Sequence, residues 1–132
     1  MRAVLDVNVL VSALLSRSGA PAKIIRSWLE GAFELVVSEL LLAELARALA
    51  YPRVSARVPP EVADAFTELL RATALVAPDP PEVPPRSSDP ADDYLLALAA
   101  AESAMLVTGD QHLLALANRF PIRSPRDFLA SL

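Results

Sequence analysis

Short apolar runs alternate along the chain with longer segments in which apolar residues recur every three or four positions. The runs have the length and branched character of buried strands, and the longer segments have the spacing of amphipathic helices. Four strands are predicted in this way, at residues 2–5, 33–37, 74–77 and 104–107. Strands that alternate with helices predict an α/β fold with a central, mainly parallel sheet covered on both faces.

Capping residues and prolines indicate where the helices begin and end. Pro21 suits the first turn of a helix that stops at Gly31. Ser38 is a good N-cap for a helix over residues 40–50, which Pro52 ends. The other predicted helices cover residues 9–16, 59–73, 112–120 and a C-terminal segment that begins at Ser124 and Pro125.

Six of the twelve prolines lie within residues 78–90, and such a segment cannot continue a helix or a central strand. It is predicted to be a loop and is too short to separate two domains. The chain shows no internal repeat, and 132 residues are the length of one ordinary domain. We therefore predict one domain over residues 1–132.

Composition limits the kinds of metal site and of binding surface that the chain can have. Apolar residues make up 54% of the chain, but the longest unbroken apolar run has eight residues, far below the roughly 20 needed to cross a bilayer. Cysteine is absent and His112 is the one histidine, so any metal is expected to have oxygen ligands, as Mg²⁺ and Mn²⁺ do. With a net charge of −4 and a single lysine, the chain lacks the composition of a broadly basic nucleic-acid binder.

Two aspartates follow predicted strands. Asp6 comes directly after the first strand, and Asp110 follows residues 104–107 by a short turn. The carboxyl ends of parallel strands share one edge of a sheet, where ligands bind. Asp110 has an alternative role as the N-cap of the next helix. Asp6 interrupts an apolar run and suits no obvious cap, so a compensating partner is expected for its carboxylate.

Glu44 is an isolated acid in the helix predicted over residues 40–50. Residues 40, 41, 45 and 48, on the same side of that helix, are all leucine or alanine. A carboxylate there is expected to point inward or at the edge of a cleft. The alternative is a surface ion pair with Arg47, one turn later.

Three aspartates stand together in the stretch SDPADDYLLALAA, residues 88–100. Asp89 before Pro90 has the form of an N-cap, and Asp92 suits the first turn of the helix that follows. Asp93 is needed for neither purpose. It shares a stripe with apolar residues that are expected to pack on the sheet, so its carboxylate should face the strand ends.

Four carboxylates are thus expected to converge, and they are Asp6, Glu44, Asp93 and Asp110. Like charges packed together repel one another and raise one another's pKa. A divalent cation would remove that conflict, and oxygen ligands with water left in the shell are what Mg²⁺ prefers.

The chain resembles the PIN-domain nucleases, in particular the prokaryotic PIN proteins of toxin–antitoxin systems. The matching stretches, in the family's order, are VLDVNVLVSALL at 4–15, SELLLAELARAL at 38–49 and DPADDYLLALAAAESAMLVTGDQHLL at 89–114. The resemblance implies a three-layer α/β/α sandwich and hydrolysis of RNA phosphodiesters, usually in single-stranded regions, by an enzyme that depends on Mg²⁺ or Mn²⁺.

The resemblance also implies roles for individual residues. Asp6, Glu44, Asp93 and Asp110 match the acidic quartet that binds the metal and catalyses hydrolysis. Asn8 and Thr108 match supporting positions, and Asp92 is an alternative third acid. Many relatives carry a further acid where this chain has His112, which is expected to be an ordinary surface residue.

A toxin of a type II toxin–antitoxin pair would be cytoplasmic, would form a homodimer and would be inhibited by an antitoxin protein. A rival interpretation is a PIN fold that serves as a binding or regulatory module with little catalysis. A phospho-receiver domain is disfavoured, because its scheme needs a lysine after a late strand and the only lysine is Lys23.

Overall fold

Strands and helices alternate through the part of the chain that the structure, a computed structural model, describes: residues 1–81 and 93–132. The elements in order are β1 (Arg2–Leu5), α1 (Val7–Leu15), α2 (Ala20–Leu29), β2 (Glu34–Val37), α3 (Glu39–Ala50), α4 (Pro52–Ser55), α5 (Pro60–Thr73), β3 (Leu75–Val76), α6 (Asp93–Ala101), β4 (Met105–Val107), α7 (Gln111–Leu114), β5 (Ile122–Arg123) and α8 (Pro125–Ala130).

The strands form one parallel sheet in the order β3-β2-β1-β4-β5. Val4 in the central strand β1 stands beside Val36 of β2 and Leu106 of β4. All three of these side chains are fully buried, because helices cover both faces of the sheet. The predicted three-layer α/β/α sandwich with a mainly parallel sheet is therefore confirmed.

The sheet has a topological switch point at the carboxyl ends of β1 and β4. The chain passes from β1 to β2 on one side, and β4 later joins β1 on the other side. In doubly wound sheets the crevice at such a point is where ligands bind.

Several predicted helix ends are confirmed. The Ser38 Oγ accepts from the Leu41 N–H at the start of α3, and the Ser124 Oγ accepts from the Asp127 N–H at the start of α8. Gly31 has a φ of +87°, and it lies one residue past the C-cap of α2. Glycine reaches this left-handed conformation without steric cost.

Other boundaries differ from the predictions. The helix predicted over residues 112–120 is shorter, since α7 ends at Leu114 and turns follow. The strand β5 and the one-turn helix α4 were not predicted, because two and four residues are too few to show a period. The predicted start of a helix at Asp89 lies outside the described residues.

The C-terminal helix shares the central core. Phe128 of α8 is fully buried, and its ring packs edge-on against Phe33 with 5.1 Å between the ring centroids. Within residues 1–81 and 93–132, every helix is too short or too polar to span a membrane.

Candidate active site

Asp6 lies at the switch point, directly after β1. Its backbone N–H donates to the Val107 carbonyl at 2.9 Å, so the residue joins the ends of β1 and β4. Only 6% of Asp6 is exposed. Its Oδ2 accepts from the Thr108 hydroxyl at 2.7 Å, and its Oδ1 accepts from the Asn8 N–H at 3.4 Å.

The expectation that Asp6 suits no helix cap was wrong. Helix α1 begins at Val7, two residues before the predicted start at residue 9, and Asp6 is its N-cap. Asn8 breaks the apolar pattern in the first turn of α1, so the sequence pattern placed the start of the helix after it, at residue 9. The cap uses one carboxylate oxygen, and the other oxygen is held by Thr108.

Thr108 joins two of the predicted site residues. Its side chain is fully buried after β4, and its Oγ donates to Asp6 and accepts from the Asp110 N–H at 3.0 Å. Asp110 in turn caps α7, where its Oδ1 accepts from the His112 N–H at 2.8 Å. The predicted capping role of Asp110 is therefore confirmed. Thr108 links this cap to Asp6.

The pKa of Asp6 is raised above the ordinary aspartate value, chiefly because burial disfavours the ionised carboxylate. The hydrogen bonds from Thr108 and Asn8 oppose that shift, and the negative charge of Asp110 adds to it. A cation beside Asp6 would therefore stabilise a charge that the protein alone does not fully compensate.

A pocket of about 260 Å³ opens beside Asp6 at the edge of the sheet. It is formed by the start of α1, one stripe of α3 and the start of α6. Its lining residues are Asp6, Val7, Asn8, Glu44, Arg47, Ala48, Tyr51, Tyr94 and Leu95. Asp6, Asn8 and Glu44, three of the residues predicted for the site, therefore face one cavity.

Glu44 satisfies both interpretations of the sequence. Its side chain is 40% exposed and forms an ion pair with Arg47, as the surface alternative predicts. It also lines the pocket, as expected for a carboxylate at the edge of a cleft. The side of α3 predicted to face inward is displaced, since Leu40 is exposed and the buried residues include Leu42 and Leu49.

Asp93 is the first described residue of α6 and is buried, with 2% of its surface exposed. The next two residues, Tyr94 and Leu95, line the pocket. Asp93 thus lies on the element predicted to carry the third acid. Asp89 and Asp92 fall outside the described residues.

The structure does not bring the predicted acids into one closed group. In the described ranges, no three His, Asp or Glu side chains lie close enough together to hold a metal ion. Asp110 acts on the pKa of Asp6, and Glu44 shares a pocket with it, but Asp110 is turned to cap α7 and Glu44 is paired with Arg47.

His112 is exposed, as expected for a surface residue. Its side chain is 69% exposed, and its Nδ1 lies 4.0 Å from Asp110 Oδ1.

Two pocket residues were missed in the sequence, and both are tyrosines. Tyr51 stands seven residues after Glu44, which is two helical turns along the same stripe. Tyr94 directly follows Asp93. Helical spacing from Glu44 was therefore a signal that could have identified Tyr51, whereas Tyr94 has no such spacing from Asp93.

The larger cavity of about 640 Å³ lies elsewhere, between α3, α4 and α5. The described residues that line it are mainly aliphatic, with Asp64 and Glu68 at its margin. They include none of the acids predicted for the site. The larger cavity is therefore not the candidate active site, and the smaller pocket beside Asp6 is.

The chemistry of the donor set suits a hard divalent cation, and the acids of the described residues would have to come closer together to bind one. Asp6, Glu44 and Asp110 offer only oxygen atoms, and Asn8 adds an amide oxygen at the pocket wall. Mg²⁺ and Mn²⁺ favour such ligands and are commonly held by a few carboxylates together with water. Burial raises the pKa of Asp6, and a cation bound beside it would oppose that shift and favour the ionised carboxylate.

Comparison with known proteins agrees with the observed fold. A model of the PIN domain matches residues 2–112 of the chain. The fold is similar to that of PAE2754 from Pyrobaculum aerophilum, with a TM-score of 0.67, 19% sequence identity and coverage of 99% of this chain and 94% of that one. No curated protein matches the sequence.

The fold is also similar to a chain in the crystal structure of VapBC2 from Rickettsia felis, which is bound to a DNA fragment from the promoter of that pair. The TM-score is 0.61 and the identity 16%, and the match covers 94% of this chain and 98% of that one. At these identities the two similarities establish the fold.

Proposed function

Because the chain belongs to the PIN-domain family, whose members are nucleases, we propose that it is a metal-dependent endoribonuclease that hydrolyses phosphodiester bonds in single-stranded RNA. The observation that carries the proposal is the buried carboxylate of Asp6, held by Thr108 at the switch point of the sheet and open to a pocket that Glu44 shares. We also take residues 1–132 as one PIN-like domain, since Phe128 joins the core beyond the matched range.

Asp6, Asp93, Glu44 and Asp110 are the residues that would hold Mg²⁺ or Mn²⁺. When bound, such an ion supplies a more acidic water and polarises the phosphate. Thr108 fixes the orientation of Asp6 and favours its ionised form through a buried hydrogen bond. Asn8 holds the second oxygen of Asp6 by its backbone N–H.

Glu44, Asp110 and Arg47 have further roles in the proposed hydrolysis. A water oxygen attacks phosphorus, the bond from phosphorus to the 3′ oxygen breaks, and the products carry a 5′-phosphate and a 3′-hydroxyl. Glu44 or Asp110 accepts the proton of the attacking water, and a solvent water gives a proton to the departing 3′ oxygen, after which the carboxylate returns its proton to solvent. Arg47 is placed on the pocket wall to bind the phosphate, once its ion pair with Glu44 opens.

We further propose that the protein is the toxin of a type II toxin–antitoxin pair. The similarity to a chain of VapBC2 from Rickettsia felis supports this role. A cytoplasmic homodimer inhibited by an antitoxin protein would follow. Expression of the chain alone in a bacterial host should then arrest growth, and the Asp6→Asn variant should not.

The alternative is a PIN-fold module that binds RNA or protein with little catalysis. The open arrangement of acids in the described residues, with Glu44 paired to Arg47, favours this alternative. A binding module should retain its function after Asp6→Asn, whereas a nuclease should lose nearly all of it.

The deciding experiment measures cleavage of a fluorescent single-stranded RNA with Mn²⁺, Mg²⁺ or EDTA, beside an identically purified Asp6→Asn protein. We expect cleavage by the wild type with metal only. Absence of cleavage, with metal still raising the melting temperature of the wild type but not of the variant, would favour the binding module. Absence of both effects would refute the metal site.

A further inference from the structure

Both tyrosines of the chain line the pocket beside Asp6. They differ in how much of each ring is accessible. Tyr51 is 65% exposed, whereas Tyr94 is only partly exposed at the start of α6. Tyr51 therefore presents the larger free aromatic surface at the mouth of the pocket.

The backbone of Tyr51 is fixed in place. The residue ends α3 and starts α4, with φ −59° and ψ 136°. Pro52 restricts the preceding residue to this extended region. The Tyr51 carbonyl also accepts from the N–H groups of Val54 and Ser55, at 2.9 and 2.8 Å. A fixed backbone at this corner means that the main chain of Tyr51 loses little conformational freedom when the ring binds a ligand.

Tyr51 continues a stripe of polar and charged groups on α3. Glu44, Arg47 and Tyr51 follow one another at helical spacing and all line the pocket. Within the described part of the chain, the Tyr51 side chain has no hydrogen bond or ion pair. The stripe thus offers a cation and an aromatic face about one turn apart.

These groups match the two parts of a nucleotide. A guanidinium binds phosphate, and an aromatic face stacks on a base. In a duplex each base face is already covered by its neighbours, so a stacking residue selects unpaired nucleotides.

We propose that Tyr51 stacks on the base of the nucleotide whose phosphate lies beside Arg47 and Asp6, and that this contact makes the site selective for single-stranded nucleic acid. The inference rests on the proposed function, because it assigns the substrate contacts of the same pocket. Arg47 binds the phosphate, and Tyr51 binds the base whatever its identity, since every base has an aromatic face.

The test measures binding of a short fluorescein-labelled single-stranded RNA by anisotropy, with Asp6→Asn as the common background so that the RNA stays intact. Adding Tyr51→Ala should weaken binding about tenfold. Adding Tyr51→Phe, which keeps the ring, should change it less than twofold. Leu29→Ala, at an exposed residue of α2 that does not line the pocket, serves as the surface control.

A second readout reports stacking itself. A 2-aminopurine in the RNA should lose fluorescence on binding to the Asp6→Asn protein and to its Tyr51→Phe version, and should stay bright with Tyr51→Ala. Equal affinities for Tyr51→Ala and its background would overturn the proposal. The proposal would also be overturned if Tyr51→Ala lost as much affinity for duplex RNA as for single-stranded RNA. Failure of all the proteins to bind RNA would overturn it too.

The two proposals can fail separately. If the wild type cuts RNA and Tyr51→Ala binds as well as its background, the nuclease stands and the stacking contact is refuted. If the wild type never cuts RNA but Tyr51→Ala loses affinity and quenching, the stacking contact stands and the catalytic proposal is refuted.

Discussion

The Thr108 hydroxyl donates to Asp6 Oδ2 at 2.7 Å, between residues 102 positions apart in the sequence. Both residues follow central strands, and β1 and β4 are direct neighbours in the sheet. The same Thr108 oxygen accepts from the Asp110 N–H. One buried hydroxyl thus fixes the positions of two of the four acids proposed for the site.

Thr108→Val should damage both stability and metal binding. Valine keeps the shape but leaves Asp6 Oδ2 and the Asp110 N–H without their partner, which costs about 1–3 kcal/mol of unfolding free energy. Loss of an outer hydrogen bond to a ligand should also weaken Mn²⁺ binding by roughly 10- to 100-fold. Urea unfolding at pH 7 and calorimetric titration with Mn²⁺ measure the two effects.

Thr108→Ser is the matched control, because serine keeps the hydroxyl. It should bind Mn²⁺ almost as the wild type does. Equal loss of Mn²⁺ affinity in the serine and valine variants would contradict the argument, because it would show that keeping the hydroxyl is not enough to preserve the site.

Asp6→Asn should stabilise the protein in EDTA at pH 7. The substitution removes a buried charge whose pKa is raised by burial and keeps an oxygen that can cap α1. We expect both the unfolding free energy and the melting temperature of Asp6→Asn to exceed those of the wild type.

The sign of the pH dependence follows from the same shift. The folded pKa of Asp6 lies above the unfolded value of about 4. As pH rises from the unfolded pKa to the folded pKa, the carboxylate ionises more readily in the unfolded chain, so the free energy of unfolding falls. The advantage of Asp6→Asn should therefore grow between pH 4 and neutrality and be smallest at pH 4. Thermal melts across this range, in EDTA, would contradict the argument if the variant were the less stable protein at pH 7.

Arg47→Ala should separate RNA binding from metal binding. The substitution removes the cation proposed to bind phosphate and frees Glu44 from its ion pair. The KM for RNA should rise about tenfold, and the slope of log affinity against log salt should fall by about 1. Mn²⁺ affinity should be unchanged or higher, because Glu44 is released.

Arg126→Ala, an exposed arginine of α8 outside the pocket, is the matched charge control for Arg47→Ala. An identical rise in KM for both variants would point to general electrostatic attraction instead of a specific phosphate contact.

Ser38→Ala tests the helix that carries three pocket residues. The Ser38 Oγ caps α3 by accepting from the Leu41 N–H, and Asp79 Oδ2 accepts from the neighbouring Leu40 N–H at 3.0 Å. Loss of the serine cap should cost about 1 kcal/mol of unfolding free energy. Urea unfolding measures this loss, and a second variant, Ser38→Thr, should recover most of it. A loss well below 0.5 kcal/mol would mean that Asp79 alone caps the helix.

The sequence predicted the central sheet well because its strands are buried on both faces. Ala3, Val4 and Leu5 are apolar without interruption, and such a run leaves few alternatives. Strand β5 escaped prediction, since its only buried residue is Ile122 and two residues show no pattern.

The sequence predicted only those features of the site that follow from one structural rule. Placing acids after parallel strands put Asp6 and Asp110 at one edge, and the structure has them there. The rule cannot supply side-chain partners, which depend on packing between distant segments. The hydrogen bond from Thr108 to Asp6 joins residues 102 positions apart and therefore emerged only from the fold, as did the ring of Tyr51 beyond the predicted end of α3. The ion pair of Glu44 with Arg47 is local, and the sequence had already offered it as one of two alternatives.

Asp93→Asn and Asp92→Asn together decide which aspartate is the third acid. Asp93 is buried at the start of α6, directly before two residues that line the pocket, so we expect its carboxylate to act on a bound cation. We expect Asp93→Asn to reduce RNA cleavage at least 100-fold and to weaken Mn²⁺ binding, and Asp92→Asn to reduce cleavage less than threefold. Cleavage assays and Mn²⁺ titrations on both variants measure this contrast, with circular dichroism to verify that each is folded. The reverse order of effects would assign the role to Asp92, because the two variants remove the same charge one residue apart.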